Sequence, residues 1–231
     1  MTIVIGGGLI AKKFKSVTLP LDCVVIASGV SNSQETRIAE FQREMDLVSK
    51  VLLENPCARV IYFSTCSVYQ KELTAYVRHK LVIEEFIRES SDSYHILRLP
   101  QVVGCVNNST LISYLTRSIF EGRCIRIQKH AARNLLDVND VVRLAQHLIN
   151  NDVGRDSVCD LASAHNVLVL DIALEISKIL NVSPDFELSD SGESYEISTS
   201  FMRDVFGCAD EVLLPDYWKT VLLKYVPMLI V

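Results

Sequence analysis

Within the stretch "FSTCSVYQKELTAYVRHKLVIEEFI", residues 63–87, a hydroxyl, a phenol and an ammonium fall close together: Thr65, Tyr76 and Lys80. A Tyr followed by Lys four residues later lies on one face of a helix, so the ammonium can stand beside the phenol. The chemistry needs that neighbour. A Tyr hydroxyl titrates near 10 when unperturbed and is a poor acid or base at neutral pH, whereas a nearby cation favours the phenolate. Tuned in this way, Tyr76 could pass a proton to or from a sugar-like hydroxyl or carbonyl. Thr65, at the end of a strand-like run, could hydrogen-bond the same oxygen. A lone Tyr-x-x-x-Lys spacing is common by chance, so the elements around it decide its worth.

Those elements alternate. Short β-branched runs occur at "TIVIG" (2–6), "CVVIAS" (23–28), "RVIYFS" (59–64), "YHILRL" (94–99) and "SVCDLA" (157–162), separated by longer stretches of helical period. This alternation predicts an α/β fold, a parallel sheet with covering helices. The spacing predicts a helix over 33–53 with Ile38, Phe41, Met45, Val48 and Leu52 on one face, and another over 74–90 with Val77, Leu81, Ile83 and Phe86 largely inward. Further helices are expected over 109–121, 139–150 and 167–180. After residue 181, "SPDFELSDSGESYEIS" reads as loop around a short edge strand.

At the N-terminus, "VIGGGLIAKKF" places Gly6, Gly8 and Ala11 as G-x-G-x-x-A, after a predicted strand and opening a predicted helix. That context is what a dinucleotide site needs: Gly6 for a tight turn, Gly8 for close backbone approach to a pyrophosphate, and a small residue at 11 for helix packing. A plain strand-to-helix turn would use glycines too. The acidic residue that normally ends a second strand about 20 residues on and holds the adenosine ribose has no counterpart, because "KSVTLPLD" runs almost at once into "CVVIAS" and Asp22 precedes a strand. Lys12 and Lys13 could meet a 2′-phosphate or simply solvate a helix face.

With 231 residues the chain suffices for one large domain, or one with a small appendage. Its net charge of −5 and lack of a long basic run argue against nucleic acid as a partner. The apolar runs are strand-sized, and "VPMLIV" is far too short to cross a bilayer, so no membrane is expected. The N-terminal positive charges follow the apolar run, the reverse of a secretory signal, and a cytoplasmic location is the expectation. Seven Cys with no C-x-x-C pair read as reduced, buried thiols, and no structural zinc or other metal is expected.

Across residues 1 to about 180 the chain resembles the short-chain dehydrogenase/reductase superfamily, in its extended branch, the NAD-dependent epimerase/dehydratase family of nucleotide-sugar enzymes. "GGGLIA" resembles the family's glycine loop, "CVVIASGVSNS" its strand and following loop, "STCSVY" its hydroxyl-bearing strand end, and "YVRHKLVIEE" its Tyr-Lys helix. "ILRLPQVVG" and "RNLLDVNDVV" resemble a later strand and turn and the Arg-bearing segment before a late helix. The resemblance implies a Rossmann-like, doubly wound parallel sheet over 1–162, with substrate-contacting insertions near 105–135, and a small C-terminal substrate lobe over 163–231. It implies NAD or NADP as cofactor and a nucleotide-diphosphate sugar as substrate. By the same resemblance Thr65, Tyr76 and Lys80 would be catalytic, with Lys80 also binding the nicotinamide ribose. Gly6, Gly8, Leu9, Ile10, Ala27, Ser28, Gly29, Tyr76, Lys80 and Leu99 would line the cofactor, and Ser31, Gln101, Asn107 and Arg133 the substrate. Arg133 could instead pair with Asp137, and Asn107, Asn108 and Thr110 could cap a helix. The resemblance leaves open whether two chains pair through helices 33–53 and 74–90, as the family commonly does.

The chain departs from the family in two places. Cys66 and Ser67 stand where dehydratases carry an Asp-Glu pair, and neither does acid–base work at neutral pH, which disfavours dehydration. The adenosine side is pared away. A reductase must release its oxidised cofactor whereas an epimerase must retain it, so the expected activity is reduction of a keto group on a nucleotide-linked sugar, in deoxysugar biosynthesis for a surface polysaccharide or glycosylated product. An epimerase, or a catalytically inactive nucleotide-sensing or partner-binding module, are the alternatives.

Overall fold

The computed structural model describes residues 2–20, 22–105 and 110–230. They form two compact units, one of Met1–Leu99 with Val138–Leu161, the other of Pro100–Asp137 with Ala162–Val231. Where the sequence suggested one boundary near 162, the stretch 100–137 groups with the C-terminal residues.

The first unit runs β1 (Ile3–Ile5), α1 (Leu9–Phe14), β2 (Cys23–Ile26), α2 (Ile38–Glu54), β3 (Arg59–Thr65), α3 (Ala75–Ser90) and β4 (Tyr94–Leu99), and later α5 (Val138–Asn150) and β9 (Ser157–Asp160). Its five strands make one parallel sheet in the order β1-β2-β3-β4-β9. A parallel sheet is covered on both faces, so its strands are apolar throughout instead of alternating, as the fully buried "CVVI" of β2 illustrates. On one face Val24, Ile26, Val60, Tyr62 and Ile96 pack against Val48, Val51 and Leu52 of α2 and Ile83 and Ile87 of α3. On the other, Phe63 meets Phe14 of α1 with ring centroids 5.4 Å apart. The parallel, Rossmann-like sheet with helices on both faces expected from the sequence is present. The sheet stops at β1, which pairs only with β2 among the described residues.

Helix α2 is shorter than the expected 33–53, and Ile38, assigned to its inward face, is 80% exposed. The cause is local. The Glu35 carboxylate accepts the backbone N–H groups of Thr36 and Arg37 and the Arg37 guanidinium, a turn that competes with helix. The cysteine expectation also needs correction: Cys23, Cys66 and Cys159 are buried, but Cys57, Cys105, Cys124 and Cys208 are exposed. These four lie in turns and connections between elements, where a thiol has no apolar face to join.

The second unit contains β5 (Gln101–Val103), α4 (Leu111–Phe120), β6 (Ile125–Gln128), β7 (Ala132–Arg133), β8 (Leu135–Asp137), β10 (Val167–Leu168), α6 (Val169–Leu180), β11 (Phe186–Ser189), α7 (Ser200–Phe206) and α8 (Tyr217–Tyr225). Its strands pair two by two, β5 with β8, β6 with β11 and β7 with β10. Buried Asp137 ties it together, accepting from the Tyr225 hydroxyl at 2.7 Å and from Lys224, while its own N–H donates to the Tyr217 hydroxyl.

Candidate active site

The expected site residues of the first unit gather at the carboxyl ends of its strands, where ligands of open α/β sheets bind. Gly6 follows β1 with φ of +133°, and a Cβ there would lie 2.4 Å from the Ala27 carbonyl oxygen. Only glycine permits this approach of the two strand ends. Gly8 caps the start of α1, which opens with half-buried Leu9 and Ile10. A Cβ on Gly7 or Gly8 would meet nothing within 4 Å, so the loop leaves room over its backbone. Ala27, Ser28 and Gly29 follow β2 directly, with Ala27 N–H donating to the Ile5 carbonyl at 2.9 Å. Ser31 is exposed beyond them.

At the centre of the sheet, Thr65 ends β3 in register with Leu99 at the end of β4. The Thr65 hydroxyl accepts from the Ser67 N–H at 3.1 Å, starting a 3-10 turn over Cys66–Tyr69. Cys66 is buried, and burial, reinforced by the charge of Asp160, pushes its thiol pKa well up. It therefore offers no thiolate where a dehydratase would carry an acid. Behind Thr65, Ser64 donates to Glu84, which also receives Arg98 through two bonds of 3.0 and 2.6 Å. Tyr69 bridges Arg98 and Asp160, donating to the latter at 2.7 Å. Burial and this bond push the Tyr69 phenol up to about 12.

Helix α3 carries Tyr76 and Lys80. Thr74 caps it, its hydroxyl accepting from Val77 N–H. Tyr76 packs with Val30 and Val77 and is 8% exposed. The Lys80 nitrogen lies 5.9 Å from the centre of the Tyr76 ring, as the four-residue spacing requires. Its hydrogen bonds go elsewhere, to Glu44 Oε1 at 2.8 Å and to the Tyr62 hydroxyl at 3.0 Å. Glu44 is fully buried and receives further bonds from the Val30 N–H, the Tyr62 hydroxyl and His79 Nε2, at 2.8, 2.8 and 3.0 Å. Burial opposes its charge, yet His79, Lys80 and the Val30 amide hold its carboxyl down at about 2. Burial lowers the Lys80 pKa, with Glu44 opposing.

Glu44, Tyr62 and His79 escaped the sequence reading. One signal was available: Glu44 falls on the stripe of Phe41 and Val48, an acid in a position that otherwise holds apolar residues. In the second unit, Gln101 lies in β5 with its N–H on the Asn134 carbonyl, and Arg133 lies in β7 with its guanidinium on the Ala132 carbonyl at 2.7 Å. Asp137, the alternative partner considered for Arg133, is engaged by Lys224 and Tyr225. Thr110 caps α4 in a reciprocal capping box with Ser113. Asn107 and Asn108 lie outside the described residues.

Residues 9–159 match the model of a family described as the NAD dependent epimerase/dehydratase family. Solved structures share the fold. The Bordetella bronchiseptica enzyme WbmH, in complex with NAD+, aligns at a TM-score of 0.71 and 19% identity, over 89% of this chain and 74% of that one. RMD from Pseudomonas aeruginosa, complexed with NADPH, gives 0.73 and 15%, over 90% and 81%. The UDP-glucose 4-epimerase of Thermotoga maritima, with UDP-glucose, gives 0.67 and 18%, over 89% and 76%. A comparison with curated proteins finds no match. Among the described residues no helix is long and apolar enough to cross a membrane.

Proposed function

The chain belongs to the NAD dependent epimerase/dehydratase family, and from that premise we propose that it reduces a keto group on a nucleotide-diphosphate sugar, using NADPH or NADH. The observation that carries this reading is the pairing of Tyr76 and Lys80 on α3, the Lys80 nitrogen 5.9 Å from the Tyr76 ring centre, with Thr65 ending β3. Fold relatives solved with NAD+, NADPH and UDP-glucose agree with the ligand classes.

The residues fit part of the cofactor. Gly6 brings the glycine loop against Ala27, and the open space over Gly7 and Gly8 suits a pyrophosphate. Ala27, Ser28, Gly29 and Leu99 would line the cofactor. Bound there, the dinucleotide would supply the hydride. Tyr76 gives its phenolic proton to the carbonyl oxygen as that oxygen gains negative charge, and Thr65 orients it. Lys80 holds positive charge beside the phenol. Ser31, Gln101, Asn107 and Arg133 are the candidate substrate contacts.

Reduction is preferred over epimerisation because the sheet has no described strand beyond β1 to carry an adenosine-ribose ligand. A loosely held adenosine suits a cofactor that leaves after each turnover. A second reading, a module without catalysis, draws on Lys80: it is 3% exposed and spends hydrogen bonds on Glu44 and Tyr62.

Titration with NADPH and NADH, followed by nicotinamide fluorescence and thermal shift together, tests the proposal, since a ligand of the native state raises its stability. Saturable binding, then oxidation of the bound cofactor by a nucleotide-linked keto sugar, is expected. Protein that purifies with NAD and interconverts sugar epimers unaided is an epimerase. No binding at millimolar concentrations leaves the module.

A further inference from the structure

A lysine taken out of water loses its proton readily, its pKa falling by up to 3–5 units in fully buried cases. Lys80 is in that position, 3% exposed, its nitrogen 5.0 Å from the Tyr62 ring centre and 5.9 Å from that of Tyr76. Uncharged, it would have nothing to offer the Tyr76 phenol. The titratable groups around it are Glu44 of α2, Tyr62 of β3, and Tyr76, His79 and Glu84 of α3. Of the two carboxylates, Glu84 is engaged by Arg98 and Ser64, whereas Glu44 touches Lys80 directly at 2.8 Å. The chain is built around that contact. A Cβ on Gly29 would sit 2.2 Å from Glu44 Oε1 and 2.7 Å from the Lys80 nitrogen. His79, bonded to the second carboxylate oxygen, stacks on Phe41 with ring centroids 4.7 Å apart. Strand β3, helix α3 and the Gly29–Val30 turn thus converge on one carboxylate of α2.

We propose that Glu44 is a positioning residue of this site, whose buried carboxylate fixes Lys80 beside Tyr76 and keeps it an ammonium. The cation that acts on Tyr76 is then held by the chain itself, before any cofactor binds. This role rests on the reading of Tyr76 and Lys80 as a working pair.

The test follows Lys80 by NMR of lysine labelled at the side-chain nitrogen and adjacent carbon, with the signal assigned by its loss in Lys80→Met. In the wild-type protein the Lys80 ammonium signal should persist at about pH 8, where exposed ammonium protons exchange away. In Glu44→Gln the Lys80 titration midpoint should fall by about one unit or more, a tenfold loss of proton affinity. The alkaline limb of kcat against pH should move down with it, KM for the cofactor changing less than about threefold, and Glu44→Asp should restore most of the loss. An unchanged Lys80 midpoint in folded Glu44→Gln overturns the proposal. So does a wild-type protein without the protected signal, a measurement that stands even where Glu44→Gln does not fold. If the wild-type protein neither binds a nicotinamide cofactor nor turns over, the reductase reading fails while the Lys80 titration still decides the role of Glu44.

Discussion

The Lys80 ammonium has three N–H donors, and Glu44 and Tyr62 take two of them. What remains for a cofactor ribose is one donor on a nearly buried group, so the proposed mechanism puts the proton chemistry chiefly on Tyr76. Tyr76→Phe removes one oxygen and leaves the ring among Val30 and Val77. Thermal stability and cofactor affinity should stay close to wild type while turnover falls by about two to four orders of magnitude, the usual scale for a general acid. Turnover within about tenfold of wild type in a steady-state assay would take Tyr76 out of the mechanism. The residue pattern behind this prediction was legible because Tyr76 and Lys80 are neighbours along one helix. Glu44 lies 36 residues from Lys80 along the chain, and no local rule pairs them.

At the scale of elements, the turn from β1 into α1 is fixed by contact as much as by conformation. Gly6→Ala would place a methyl group against the Ala27 carbonyl at a φ that side chains rarely adopt. A loss of about 1–3 kcal/mol in urea unfolding is expected, the scale of a strained backbone position, with cofactor binding weakened as the β1 and β2 ends part. A Gly6→Ala variant as stable as wild type would mean that the turn relaxes freely. Most elements were readable from their apolar runs, β3 and α3 nearly to the residue. The start of α2 was not, because Glu35 satisfies backbone N–H groups just where the periodicity of Ile38 and Phe41 suggested continuous helix.

For the whole molecule, the buried pair links the site to stability. Glu44 in the folded chain titrates at about 2, below its ordinary 4.5. A carboxyl depressed in this way contributes stability that is fully present above about pH 4.5 and is lost as pH falls toward about 2. At roughly 1.4 kcal/mol per unit, the swing is on the order of 3 kcal/mol. Urea unfolding of the wild-type protein should weaken across that window, and Glu44→Gln, less stable at neutral pH because Lys80 loses its partner, should show a flatter acid dependence. Equal acid slopes in the two proteins would place the acid sensitivity elsewhere. The sequence by itself determined the α/β class, the parallel sheet, the glycine turn and the Tyr76–Lys80 helix, because each depends on residues a few positions apart whose periodicity or backbone freedom is local. Only the tertiary structure decided that β1 ends the described sheet, that residues 100–137 join the C-terminal unit, and that Glu44 meets Lys80. Those outcomes depend on which distant surfaces exclude water together, and a buried charge finds its partner only when the fold has brought both out of solvent.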